Sequence, residues 1–444
     1  MSNSTRAGMG LLVFVVVAAA VALDIRADQL RGFLRWEDAL FPGNTDSSYQ
    51  DLVVANGTLF AVGVGPLRNS PSTHADIHVR AYEPGSGEIL WTHRRVNVFE
   101  DESSAGIAGA GNTVVVAGTS DPIMAVPRFH YIFVLALDAR TGERLWEDRC
   151  GTNTLTQARS IASLGDRVFV SGDCDGLGFL RAYDAASGAV LWEQREEFNS
   201  LVVADSDRVY TAGFNPVGAI ILRSLDAATG AQNWFRPVFG TPFDPGVVLH
   251  SLVAHGDLVS LSVTGVSGGH RIETFDAEMG TSRWQDEPGG PAEVLTLHGP
   301  FLYAGSAGSG FHVRAYDAGT GERVWERAGS GEVGGIEPIG RSVVVSDDNG
   351  GFHVEGLDAR SGLLLWEDLF VAPRGGAARP TARHGGKVFV GGFRGAIVPP
   401  FLRTECFLRA YDNHGHLPGG PAPASGAPIV VDPEEPADLP LEPQ

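Results

Sequence analysis

The sequence predicts an all-β protein, an eight-bladed β-propeller of four-stranded antiparallel blades, and three observations carry that prediction. The first is an eleven-residue phrase that recurs seven times: Ala81–Trp91, Ala136–Trp146, Ala182–Trp192, Ser224–Trp234, Thr274–Trp284, Ala315–Trp325 and Gly356–Trp366. The second is that the eighth tryptophan, Trp36, has no phrase before it, while the C-terminal AYDNHG at 410–415 has no tryptophan after it. Two incomplete halves at opposite ends of a repeat array mark a ring closed by its own termini. The third is that each repeat divides into short apolar runs separated by Gly, Asp and Ser turns, which is a strand-and-hairpin signal.

One repeat shows how the elements arise. From Arg167 onward the chain reads RVFVSG, then FLRAYD, then the turn AASG, then AVLWE. The phrase Asp is placed to accept hydrogen bonds from amides two or three residues on, as short acids do in turns. The phrase Gly, present in all seven copies, fits a position with positive φ that other residues reach at a steric cost. Asp and Trp always stand eight residues apart, which fixes the hairpin register; Glu83 replaces the Asp in one copy. Each Trp ends an outer strand and is too large for one blade to cover. Docked on the neighbouring blade it would hide roughly 150–250 Å², about 4–6 kcal/mol as an upper figure. Trp36, Trp91, Trp146, Trp192, Trp234, Trp284, Trp325 and Trp366 are therefore expected to be the glue between blades.

Another pair of runs joined by a tight turn precedes each phrase, as in LVVANGTLFAVG at 52–63 and SLVVADSDRVYTAG at 200–213. Four strands per repeat describe a propeller blade. The phrase acids at 83, 138, 184, 226, 276, 317, 358 and 412 count eight blades. The segment around Trp36 supplies the outer strand of the last, leaving no open edge. Asn56-Gly-Thr58 matches a glycosylation sequon but reads as one of the tight turns.

The phrase resembles the tryptophan-docking motif of the quinoprotein-dehydrogenase-like, or PQQ-like, propellers. The resemblance runs from about residue 33 to 416. It implies the ring fold and leaves two functions open, because that family holds both quinone-dependent alcohol dehydrogenases and non-catalytic scaffolds for outer-membrane assembly. The dehydrogenases share a vicinal Cys-Cys disulfide over the quinone. This chain has only Cys150, Cys174 and Cys406, none adjacent. The calcium-binding Glu/Asn/Asp set and the catalytic Asp of those enzymes match no position here.

The chain has 444 residues. A ring turns that length into one domain with tails: residues 1–27, 33–416 and 417–444. Gly10–Leu23 is an apolar run near Arg6, shorter than a bilayer core requires, so 1–27 reads as a secretory signal with cleavage after Ala22 or Ala27. A retained membrane anchor is the alternative. No cysteine near this run could carry a bacterial lipid anchor. Residues 417–444 are Pro-rich and acidic, a composition that does not bury enough surface to fold. The net charge of −20 argues against nucleic acid as a partner, and the propeller is expected to be a monomer. Export permits disulfides, and Cys150–Cys174 is a plausible bridge between adjacent blades. Cys406 is left over as a buried thiol.

Long loops are expected at 63–77, 118–131 and 392–406, on the face opposite the phrase turns and in the first, second and last blades, which the ring makes neighbours. Such a raised wall suits a protein partner or a small polar ligand. The innermost strands would aim Asp51, Glu102, Arg159, Asn199, His250, Glu293 and Arg379 into a central funnel, where mixed charges suit a polar ligand or cation. His74, Asp76 and His78 alternate at strand spacing on one loop, a candidate metal site without a third ligand type nearby. No G-x-S-x-G, H-E-x-x-H, CxxC or phosphate loop occurs. The expected function is an exported, non-catalytic binding scaffold without a cofactor. The alternative is a quinone-dependent oxidoreductase with an atypical site, holding PQQ and calcium.

Overall fold

The computed structural model describes residues 34–40, 48–66, 75–95, 100–122, 130–153, 156–195, 198–215, 218–239, 247–265, 268–306, 311–371, 376–398 and 401–412. The proposed signal and tail segments lie outside them, as does His74. Eight four-stranded antiparallel sheets make up the ring. Blades one to seven occupy 48–95, 100–153, 157–194, 198–239, 248–286, 292–327 and 333–371. Blade eight combines strands Gly376–His384, Lys387–Val398 and Phe401–Asp412 with the N-terminal strand Leu34–Leu40. Trp36 pairs there with Ala410, and Arg35 bonds Asp412 at 2.8 Å.

The phrase builds each joint between blades. Its acid caps the turn: Asp138 accepts from the amides of Arg140 (3.0 Å) and Thr141 (2.8 Å), and Glu83 does the same for Gly85 and Ser86. The Trp of the preceding blade then lies on that turn. Seven indole N–H groups donate to the carbonyl of the residue after the next blade's acid, from Trp36 on Pro84 to Trp325 on Ala359, at 2.8–3.1 Å. The ring covers the phrase Gly, whose φ is +64 to +76°. A Cβ there would fall 2.5–2.6 Å from the indole. Glycine is thus required twice over, by backbone conformation and by close approach.

A second joint lies alongside it. Four outer strands carry an Asp two residues after the Trp, and the following blade offers an Arg and a Tyr from an R-A-Y run. Tyr82, Tyr183, Tyr316 and Tyr411 donate to Asp38, Asp148, Asp286 and Asp368 at 2.7–2.8 Å. Arg80, Arg181 and Arg409 reach the same acids at 2.6–2.9 Å, and Arg314 reaches Asp286 at 3.8 Å. Between blades six and seven the charges are exchanged: Arg327 follows Trp325 and bonds Glu355 at 2.6 and 3.0 Å. Cys150, within the outer strand of blade two, is disulfide-bonded to Cys174 at the end of the second strand of blade three. Cys406 is buried and its thiol is pushed up to about 12 by desolvation.

Candidate functional site

The first strands of the blades stand next to one another around the axis. All eight are interrupted by a register shift at the same level, at 49/51, 104/106, 158/160, 199/201, 249/251, 292/294, 333/335 and 378/381. A bulge leaves one residue unpaired and re-aims it. The residues so released are Gln50, Ala105, Arg159, Ser200, His250 and Glu293, then Gly334, and Arg379 with Pro380. Bulging is the device that turns an otherwise alternating strand into a source of funnel side chains.

Four of the sequence candidates occupy these bulges. Arg159 bonds Asp173 at 2.9 Å with its side chain 44% exposed. His250 bonds the hydroxyl of Thr264 at 2.7 Å, and that hydroxyl also meets His270 at 2.9 Å. Burial, and then His270, lower the pKa of His250. Arg379 crosses Gly334 to bond Glu332 at 2.9 Å. Burial and the nearby Glu332 raise the pKa of Glu293, which Arg379 opposes.

The other candidates stand differently. Asp51 follows the bulge, and its carboxylate accepts the amides of Leu52 (2.8 Å) and of Ile107 in the next blade (3.0 Å). Ser160 and Ser251 make the same bond to Val202 and Leu295, so Asp51 staples blade one to blade two. Desolvation nevertheless lifts its pKa to about 6. Glu102 is corrected: only 3% exposed, it is committed to Arg95 and to the amide of Ile77 in blade one. It precedes the bulge rather than forming it. The backbone of Asn199 is paired with Gly213, and its side chain lies outside the described residues. Asp76 and His78 sit on a strand and not on an exposed loop, each 2% exposed.

A cavity of about 690 Å³ opens on the axis between the first strands of blades six, seven, eight and one. Its polar lining includes Gln50, Asp51, Thr296, Glu337, Arg379 and Thr381. Sequence reading missed Glu337, which burial pushes up to about 7 against the pull of Arg383, bonded to it at 3.1 Å. A second recess of about 360 Å³, between the first strands of blades three to six, is lined by Ile161, Ser163, Val202, Val253, Thr296 and Leu297, with no charged side chain among them.

The expected long loops are ladder in part. Pairing in blade one continues to Pro66 and Ala75, in blade two to Ser120 and Tyr131, and in blade eight to Val398 and Phe401. The two strands of that last hairpin have 12 residues each. In blade eight the expected loop is thus an extended hairpin, while 67–74 and 123–129 of the other two lie outside the described residues.

The described funnel residues do not fit a quinone held over calcium. Asp51 is spent on two amides, Glu332 on Arg379 and Glu337 on Arg383, while Cys150 and Cys174 bond each other across 24 residues. Among the described residues, three metal-ligating side chains converge only at His353, Glu355 and Glu367, on strands away from the axis.

A sequence profile described as outer membrane protein assembly factor BamB matches residues 133–236 and 217–405. No curated protein matches the chain by sequence. Among solved structures, BamB from Moraxella catarrhalis is similar with a TM-score of 0.55 at 17% identity, over 86% of this chain and 99% of that one. A europium-containing methanol dehydrogenase gives 0.58 at 14%, over 85% and 93%. The Dos1 propeller gives 0.60 at 13%, over 86% and 96%. Likeness at these identities carries the fold alone.

Proposed function

Since the chain belongs to the family of PQQ-like propellers whose profile is described as outer membrane protein assembly factor BamB, we propose that it is an exported, non-catalytic scaffold that binds a protein or a small polar ligand. The observation that carries this reading is a coincidence of sectors. The charged cavity lies among blades six, seven, eight and one, and the extended hairpin of two 12-residue strands stands on blade eight. Wall and pocket meet in blade eight, which gives a partner both a flank to lean on and a polar recess to enter.

The chemistry of the recess supports binding more than catalysis. Its described charged groups are engaged, Arg379 with Glu332, Glu337 with Arg383 and Asp51 with two backbone amides. A catalytic constellation needs a nucleophile or base held free for its proton. The N-terminal apolar run supports export, and no cofactor is required by this reading.

The test is a capture experiment on envelope extract with the full chain and with a variant in which 395–404 is replaced by a two-residue turn. A partner retained by the first and lost by the second supports the scaffold. Purified protein incubated with PQQ and calcium is the opposing experiment. Stoichiometric quinone absorbance together with dye reduction would overturn the reading in favour of an oxidoreductase.

A further inference from the structure

We propose that the joint between blades six and seven is a binding site for a divalent transition-metal ion of the zinc class, held by His353, Glu355 and Glu367. The residues are brought together by strand pairing. Asp347 pairs with His353, and Glu355 with Glu367, so four polar side chains of blade seven project from one face of the sheet. His353, Glu355 and Glu367 each place a ligand atom within 4.8 Å of the others. His312 of blade six faces them, with Nε2 3.2 Å from Asp347 and 3.9 Å from Glu355. One imidazole with two carboxylates, and a second imidazole and carboxylate behind them, is a nitrogen–oxygen donor set suited to zinc or its neighbours.

Two independent observations set this joint apart from an ordinary ion-pair lock. Its charge is unbalanced: Asp347, Glu355 and Glu367 are three acids, and among the described residues Arg327, on Glu355, is the one guanidinium bonded to the group, which leaves one acid unmatched even with His353 protonated. His353 must donate from both ring nitrogens to serve Asp347 (2.7 Å) and Glu367 (2.9 Å) at once. Even so, the Nδ1 of His312 is left without a hydrogen-bond partner, although the residue is only 3% exposed. Buried polar atoms are rarely abandoned in this way. A cation seated at His353 Nε2, Glu355 and Glu367 displaces the proton on that nitrogen to solvent and supplies the missing positive charge. Asp347 would then orient the ring through Nδ1, as carboxylates behind metal-bound histidines do. Glu367, with its side chain 37% exposed, is the way in.

The site is separate from the funnel, so its failure leaves the scaffold proposal untouched. The test uses the full chain, stripped of metal and titrated with Zn²⁺ alone, then with Co²⁺ followed by its visible absorption. One equivalent taken up with the absorption of a low-coordinate nitrogen–oxygen cobalt site is expected. Affinity should fall by about tenfold or more in Glu367→Gln and in His353→Gln, while Glu434→Gln in the acidic tail changes nothing. Glu367→Gln alters a partly exposed side chain and serves as the folded control, checked by its circular dichroism. No stoichiometric uptake, or uptake equal in wild type and Glu367→Gln, overturns the proposal.

Discussion

The indole nitrogen of Trp36 lies 3.0 Å from the carbonyl oxygen of Pro84, and its ring occupies the space into which a side chain on Gly87 would project. These two contacts join the last blade to the first. Trp36→Ala should cost about 3–5 kcal/mol, the usual range for truncating a large aromatic in a packed joint. Gly87→Ala combines a strained φ with a clash and should cost about 2 kcal/mol or more. Denaturant unfolding of the single and double variants checks both. The double variant should cost less than the sum, because both changes remove one contact.

The acid two residues after the Trp gives a second prediction. Asp148 holds Arg181 and Tyr183 together, and Glu193 is the acid that Arg181 keeps when Asp148 is neutralised. Asp148→Asn should destabilise by about 1–3 kcal/mol. Arg181→Glu should cost more, because it places like charges together. Combining Arg181→Glu with Asp148→Arg copies the arrangement of Arg327 and Glu355 and should recover part of the loss in a double-mutant cycle.

Glu337 makes stability depend on pH in a stated direction. Its native pKa of about 7 lies above the ordinary value, so the folded protein holds a proton that the unfolded chain releases. The resulting stabilisation is complete below about pH 4 and is lost as pH rises through 7. Glu337→Gln should therefore be more stable than wild type at pH 8, by up to about 3 kcal/mol, and the difference should vanish near pH 4. Thermal melts at the two pH values decide it.

The bridge between Cys150 and Cys174 closes a separation of 24 residues. Removing it by the double substitution to Ser should lower stability by about 2–4 kcal/mol. Non-reducing peptide mass mapping should find the two cysteines in one linked species and Cys406 free.

The ring was legible because its signal is periodic and large: seven phrases, and Trp36 and Asp412 as the unmatched ends. The funnel was legible only in part. Arg159, His250, Glu293 and Arg379 stand at bulges, but a bulge has no fixed residue type, so Gln50 and Gly334 gave no sign of sharing their level. Glu102 was misplaced because it lies three residues before Ala105, where the strand still alternates regularly. Glu337 was missed because its importance comes from burial against Arg383, not from local sequence. The Asp–Arg–Tyr joint was readable in principle: W-E-D at 36–38 and R-A-Y at 80–82 belong to different phrases, and pairing them requires reading across the blade boundary. The segment 392–406 was read as a loop because its pairing, which runs to Val398 and Phe401, depends on the partner strand and not on local sequence.

Because the final sheet borrows its outer strand from the beginning of the chain, a ribosome must release residue 412 before the circle can shut. Until then the nascent polypeptide keeps Leu34–Leu40 without its hydrogen-bonding neighbour and leaves a flank of blade one bare. A single closing event after synthesis of the last strand is the route that such an arrangement favours. New termini cut into any of the short phrase turns would relocate that last step to a different sector without altering the finished circle.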